Sequence, residues 1–384
     1  MMSSVELDFA VTDGEIAVNN LESARQNAWN RLRVAPQPLD IAEDIVELES
    51  LAAQLIGDLE ALDRLSSLIQ YLDAIEPDSS QAALINAHVA SVTHRFSDAR
   101  FHIDKAAAMA ELPNSAKRLS LAIDQACGNR LDAVLETRQL LAKQSALLGD
   151  LVPLGALLAE LGKFDEADEV YERALRHYRE TTPFGIAWLC FQRGVLWGEL
   201  VPVPEPSQAE YWYSKAIDYL PTYVRARIHL AEICLERDQL GAADALLTPV
   251  MDSVDPEVNW RLADVLRGLG NADGADAQMK IARVGFDSLL DKYLLAFADH
   301  GAGFYLGSGN DYERALRLAR ANLENRPTLR AFELAHKAAV QAGDEIFAFG
   351  LVREASIKWG SSDAFRSSSL VTANHDIGSL EGLC

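Results

Sequence analysis

Residues 154–175 read LGALLAELGKFDEADEVYERAL. Apolar and small residues recur at helical spacing, a break falls at Gly162, and a second helical pattern opens at Asp165. Two short amphipathic helices joined by a tight turn make a hairpin. Neither helix can bury its apolar face alone, so such a hairpin needs neighbours.

The neighbours stand at a fixed distance. Thirty-four residues before Ala167 is Ala133, in RLDAVLETRQLLA, and the same step gives Ala99 and then Leu65. Downstream, Ala209 and Ala243 are again thirty-four apart, and Ala275 and Ala315 follow at thirty-two and forty. Four equal intervals, each at the same point of one pattern, predict an array of about eight helical hairpins.

Period and signature resemble the tetratricopeptide repeat (TPR) family. Its motif asks for a small residue and then a large one in the first helix. In the second helix it asks for a small residue, an aromatic four later, Ala three after that and Pro beyond. Leu154, Gly155, Leu158, Ala167, Tyr171 and Ala174 match, as do Gly194, Trp197, Ala209, Tyr213, Ala216 and Pro221. Leu262, Ala263, Leu266, Ala275 and Ala282 match, and so do Gly303, Leu306, Ala315 and Pro327. The resemblance spans 45–359, with a degenerate first repeat ending at Pro77. It implies an all-α fold, a right-handed TPR superhelix (α-solenoid). Small residues belong where helices cross most closely, and aromatics fill the volume beside them.

Outside the array, 1–17 read as an irregular acidic segment, and 18–44 as a capping helix and linker with Asn20 as N-cap. Insertions fall near 176–208 and 283–302, the first containing the Pro-rich piece at 202–206, which cannot be helical. Residues 360–384 read as a Ser-rich mobile tail ending at Cys384.

HGAGFYLGSGND, residues 300–311, invites a phosphate-loop reading. Such a loop follows a β-strand and ends in Lys-Ser/Thr, whereas here a helical pattern precedes and no Lys follows. In the repeat frame Gly303 is the small position of a first helix, and Tyr312 opens the second.

The chain has 384 residues, 35 Lys+Arg against 57 Asp+Glu, and a formal charge of −22, with no basic run to hold nucleic acid or anionic lipid. No apolar stretch approaches a membrane span and no signal peptide opens the sequence, so a cytoplasmic location is expected. Cys127, Cys190, Cys234 and Cys384 form no C-x-x-C pair, which argues against a zinc site or a disulfide framework. His88, His94 and His102 fall on different elements and do not converge as metal ligands. With no catalytic motif present, no catalytic, cofactor or metal residue is expected.

What remains is the inner surface. In TPR superhelices the first helix of each repeat lines the concave groove. Its inward positions correspond to Gln54, His88, Arg118 and Gln125 in the N-terminal half, and to Val152, Ala156 and Ala159 in a bare middle. The C-terminal half supplies Arg225, Ile228, Glu232, Trp260, Asp264, Arg267, His300 and Phe304. Arg, Trp, Phe and His are side chains that anchor interfaces. The Lys/Asn clamp with which some TPR grooves hold a terminal carboxylate is absent. The expectation is a scaffold that binds a protein or peptide in its groove. Its alternatives are an accessory subunit of a biosynthetic complex, or an enzyme hosted on a helical-repeat fold.

Overall fold

A computed structural model describes residues 9–371. Among them every regular element is helical and no strand occurs. A first helix, α1 (Gly14–Leu32), precedes nine hairpins. These are α2 (Pro38–Ile56) with α3 (Ala61–Ile75), α4 (Ser80–Val92) with α5 (Phe96–Met109), and α6 (Asn114–Ala126) with α7 (Leu131–Gln144). Next come α8 (Leu148–Glu160) with α9 (Phe164–His177), and α10 (Phe184–Val195), extended by a π turn at Leu196–Leu200, with α11 (Pro206–Tyr219). Then α12 (Val224–Glu236) pairs with α13 (Leu240–Leu247), and α14 (Pro256–Gly268) with the first half of α15 (Ala272–Leu306). The second half of α15, beyond a non-helical residue at Tyr293, pairs with α16 (Tyr312–Asn325), and α17 (Leu329–Gln341) with α18 (Glu345–Trp359). A short α19 (Asp363–Arg366) closes the chain. The architecture is an α-solenoid of TPR type. The ninth hairpin adds one to the eight frames, with Ala348 buried thirty-three residues after Ala315.

The frame holds where small residues meet large ones. Leu65, Ala99, Ala167, Ala209, Ala243, Ala275 and Ala315 are all fully buried. A methyl group added at Gly155 would run into the Tyr171 ring, and one at Gly194 into Tyr213. Gly303 differs: a methyl there would meet nothing within 4 Å, because the aromatic position opposite is taken by Ala319. Ala133 is also a correction. It is exposed, and Val134 takes the buried position at 2 % exposure. Four residues on, where α9 and α11 carry Tyr171 and Tyr213, α7 carries Arg138, 5 % exposed. Among the described residues no carboxylate lies at ion-pair distance from it and its Nε has no partner, and burial pushes its guanidinium down to about 10. The apolar cores on either side, around α4–α6 and α8–α12, do not merge across this polar seam.

Element boundaries correct the expected domain limits. Helix α1 starts at Gly14, and its N-cap is Asp13, whose carboxylate accepts from Glu15 N and Ile16 N, rather than Asn20. Segment 18–44 is therefore mostly helix, with α2 already begun at Pro38. The interval 176–208 contains α10 with its π turn, and only 178–183 and 201–205 lie outside helices. Residues 283–302 belong to the long α15. The tail is docked as far as it is described: Phe365 and Leu370 are buried, and Ser368 Oγ donates to Glu333 at 2.6 Å. Cys384 lies outside the described residues.

Turns within hairpins and connections between hairpins lie on opposite edges of a stack. Here the first edge of the early hairpins rests on the second edge of the late ones. A methyl at Gly57, in the α2–α3 turn, would stand 2.8 Å from both Val224 Cγ2 and Ser253 Oγ, at the α11–α12 and α13–α14 connections. Asp63 accepts from Lys292 Nζ and Tyr293 Oη, each at 2.7 Å, at the kink of α15. Asn325 Nδ2 donates to the His94 carbonyl at 2.9 Å. Gly128 faces Pro327 and Trp359, and Ala364 N donates to Leu161 O at 3.2 Å beside Gly162. The superhelix thus passes a full turn and stacks on itself in two tiers, enclosing a lumen lined by the first helices.

Candidate functional site

The lumen wall is built from α8, α10, α12, α14, the second half of α15, and α17. On α12, Arg225, His229 and Glu232 share one face at spacings of four and three, and Glu257, Arg261 and Asp264 repeat the pattern on α14 thirty-two residues later. Helical periodicity over a tandem repeat therefore lays two charged stripes side by side.

The stripes are joined into a network. His229 Nδ1 lies 3.0 Å from Glu199 and 3.2 Å from Glu232. Arg261 pairs with Glu232 and lays its guanidinium 3.6 Å from the centre of the Trp260 ring. Asp264 accepts from Ser308 Oγ at 2.8 Å. From the far wall Arg330, at the start of α17, reaches Glu199 at 2.6 Å and struts the lumen. A second group sits deeper: His300 Nδ1 is 2.6 Å from Glu257 and its Nε2 3.1 Å from Arg225, while Arg326 holds Asp299 at 2.5 Å. Glu199, His229, Glu232, Glu257, Asp299 and His300 keep 17–30 % of their side-chain area accessible, although protein surrounds the network.

Charge states follow from this geometry. Burial pushes His229 down, but Glu199 and Glu232 more than offset it, so the imidazolium persists to about 10. Burial opposes ionisation of Glu199, yet His229 and Arg330 hold it far below the usual carboxylate range. His300 is likewise raised against burial by Asp299 and Glu257. Glu160, at the end of α8, is the exception: burial dominates and lifts it to about 7 despite Arg330, Arg138 and Arg326 nearby. A histidine that stays protonated through neutral pH cannot accept a proton there, so His229 is no general base. The wall is suited to present fixed, paired charges.

The strip expected from the sequence is not an open one. Ile228 (1 % exposed), Trp260 (7 %) and Phe304 (0 %) are core residues. Phe286, on the first half of α15, stacks on Phe304 at 4.6 Å, and both set their edges against Trp260. The unusually long α15 supplies this extra aromatic layer. Glu232, Asp264 and His300 do reach the lumen, each already partnered, Arg225 stands 3.1 Å from His300 Nε2, and Arg267 is half exposed at its rim near Asp264 and Asp276. In the N-terminal half Gln54 is exposed, Arg118 grips Asp150 at 2.9 Å, and Gln125 is buried. In the middle, Val152 and Ala159 are buried. Sequence reading missed His229, Arg261, Glu199 and Arg330. The signal for the first two was the thirty-two-residue repeat of the charged triplet.

No protein-family model matches the chain, and no curated protein matches it in sequence. Solved structures with a similar course exist. The APC/C Cut9–Hcn1 hetero-tetramer matches 94 % of this chain and 74 % of that one, at 15 % identity and a TM-score of 0.42. Yeast Tom70 matches 95 % and 96 %, at 12 % identity and a TM-score of 0.36. The structure of Naa15/Naa10 bound to HypK-THB matches 92 % and 66 %, at 10 % identity and a TM-score of 0.30.

Proposed function

We propose that this chain is a non-enzymatic scaffold of the cytoplasm that holds a protein or peptide partner at its inner wall, as one component of a larger complex. The observation that carries this reading is the lumen network. Paired, partly accessible charges on α12, α14, the second half of α15 and α17, with Glu199 from the π turn after α10, give an ordered polar surface for recognition. The formal charge of −22 favours protein over nucleic acid or anionic lipid, and the buried thiols Cys127, Cys190 and Cys234 fit a reducing compartment. The test is capture of partners from native cells with wild type, a lumen variant Glu232→Lys/Glu257→Lys, and an outer-face variant Ile357→Ser. A partner retained by wild type and Ile357→Ser but lost by the folded lumen variant supports the reading. Equal capture by all three refutes it.

A further inference from the structure

A cavity of about 630 Å³ lies between α1 and α2 on one side and the first turns of α8 and α10 on the other. That volume is in the range of ligand pockets, about 300–1,000 Å³. Its wall is apolar: Leu48, Leu51, Leu55, Leu148, Phe184 and Trp188. The cavity is separate from the charged stripes of α12 and α14, and α1, which belongs to no hairpin, supplies one whole side.

Five polar side chains interrupt the apolar wall, Thr12 and Thr182 at the Glu180 end among them. Asn20 on α1 and Gln54 on α2 both line it, both are exposed, and neither makes a hydrogen bond among the described residues. A free carboxamide offers a donor and an acceptor together, the complement of a peptide main-chain unit. Glu180 is the one ionisable side chain of the lining. No cationic side chain shares the lining with it. Burying an unpaired charge in such a wall is costly, so an acidic occupant is excluded and a basic group at the rim is favoured.

We propose that this cavity receives an extended segment of a partner protein, with one or two large apolar side chains in the pocket, its main chain against Asn20 and Gln54, and a flanking Lys or Arg at Glu180. The proposal rests on the scaffold reading above and names a second, chemically distinct contact for it.

Gly149 provides a clean test. It lines the cavity, and a methyl group added there meets nothing within 4 Å, so Gly149→Phe enters the cavity from an unobstructed position. The probes are acetyl-Lys-Leu-Phe-Leu-Lys-amide and its Glu-flanked counterpart, followed by methyl NMR on the full chain. The Lys-flanked peptide should shift the methyls of Leu51, Leu55 and Leu148 saturably and bind at least tenfold tighter than the Glu-flanked one. Gly149→Phe, with its melting temperature unchanged, should weaken it at least tenfold, and Glu180→Lys should invert the preference. No saturable shift in wild type, shifts confined to other methyls, or equal binding by Gly149→Phe overturns the proposal. So does hexylamine shifting these methyls where the peptide does not, which would assign the cavity to a small amphiphile. Failure here leaves the lumen-dependent capture experiment standing, and failure of that capture leaves cavity binding measurable by itself.

Discussion

Two left-handed turns in this chain differ in one respect only. Gly162, between α8 and α9, has φ +84° and lies against the next tier, where an added methyl would collide with the backbone of Asp363 and Ala364. Gly270, between α14 and α15, has φ +79° and open space around it. Alanine at either site forces an L-residue into the left-handed region, at about 1–2 kcal/mol. At Gly162 the collision with immobile backbone also pushes α19 away. That breaks the Ala364 N to Leu161 O hydrogen bond, about 0.5–1.5 kcal/mol, and uncovers part of Phe365, a ring worth about 1.5–3 kcal/mol when fully buried. Gly162→Ala should therefore cost about 1–3 kcal/mol more than Gly270→Ala. Because a solenoid can open locally, hydrogen exchange of the 361–371 amides is the direct readout, with urea unfolding for the global cost. In Gly162→Ala those amides should lose protection while α12 and α14 keep theirs. Equal costs for the two alanines, with protection of 361–371 unchanged, would show that the tiers do not bear on each other in solution.

Ala167 is fully buried where α8 and α9 cross, so Ala167→Glu strands a carboxylate in the core and should cost at least about 3 kcal/mol by denaturant titration. Arg138 is a buried guanidinium outside ion-pair distance of any described carboxylate, in a slot that α9 and α11 fill with tyrosine, so Arg138→Met should stabilise by about 1–3 kcal/mol, and a lower urea midpoint would contradict the seam described above. For His229 the folded pKa is raised, from 6.5 to about 10. Its contribution is fully present below 6.5 and declines as pH rises through 10, so the stability gap between wild type and His229→Gln should be widest near pH 6 and narrow towards pH 10. A gap that widens with pH would invert the assigned charge. Glu160 runs in the same direction at lower pH: a carboxyl raised to about 7 stabilises below 4.5 and loses that advantage as pH climbs through 7. Glu160→Gln should accordingly gain on wild type between pH 5 and pH 8 in melting experiments.

The hairpins were legible because their determinants are local. The thirty-four-residue step places a small side chain at each crossing, and Gly155 with Tyr171 or Gly194 with Tyr213 shows the steric pair directly. The slip from Ala133 to Val134 was not legible, since in RLDAVLETRQLLA both residues fit a helix and only the neighbouring α6 and α8 decide which one faces inward. The groove residues failed in a more instructive way. Positions 260 and 304 do point towards the inner side of their helices, but whether that side is open depends on Phe286 and on α15 running on to Leu306. Charge marked the wall better than aromatic content did. A buried ring is ordinary, whereas a triplet of charges repeated on one face of consecutive first helices has no use in a core.

Tier stacking also changes how such a molecule holds together. A repeat array with contacts only between nearest neighbours is a one-dimensional stack, free to fray from either end. Here neither described end is free. Phe9 packs its ring 5.3 Å from Tyr178, Thr12 N donates to Thr181 O at 2.8 Å, and Gly14 sits against Pro221, which fastens the N-terminal segment to hairpins four to six. At the other end Ala364 is tied to Leu161, and across the lumen Arg330 is tied to Glu199. Each contact closes a loop of well over a hundred residues. Its entropy cost grows only with the logarithm of that length, so modest polar contacts suffice once the curvature of the stack brings the edges together. Frayed ends are then penalised by the loss of contacts in the middle of the chain as well as their own. The inner wall is consequently held at fixed width, and the recognition proposed for it would select a partner by fit and charge register rather than by wrapping around it.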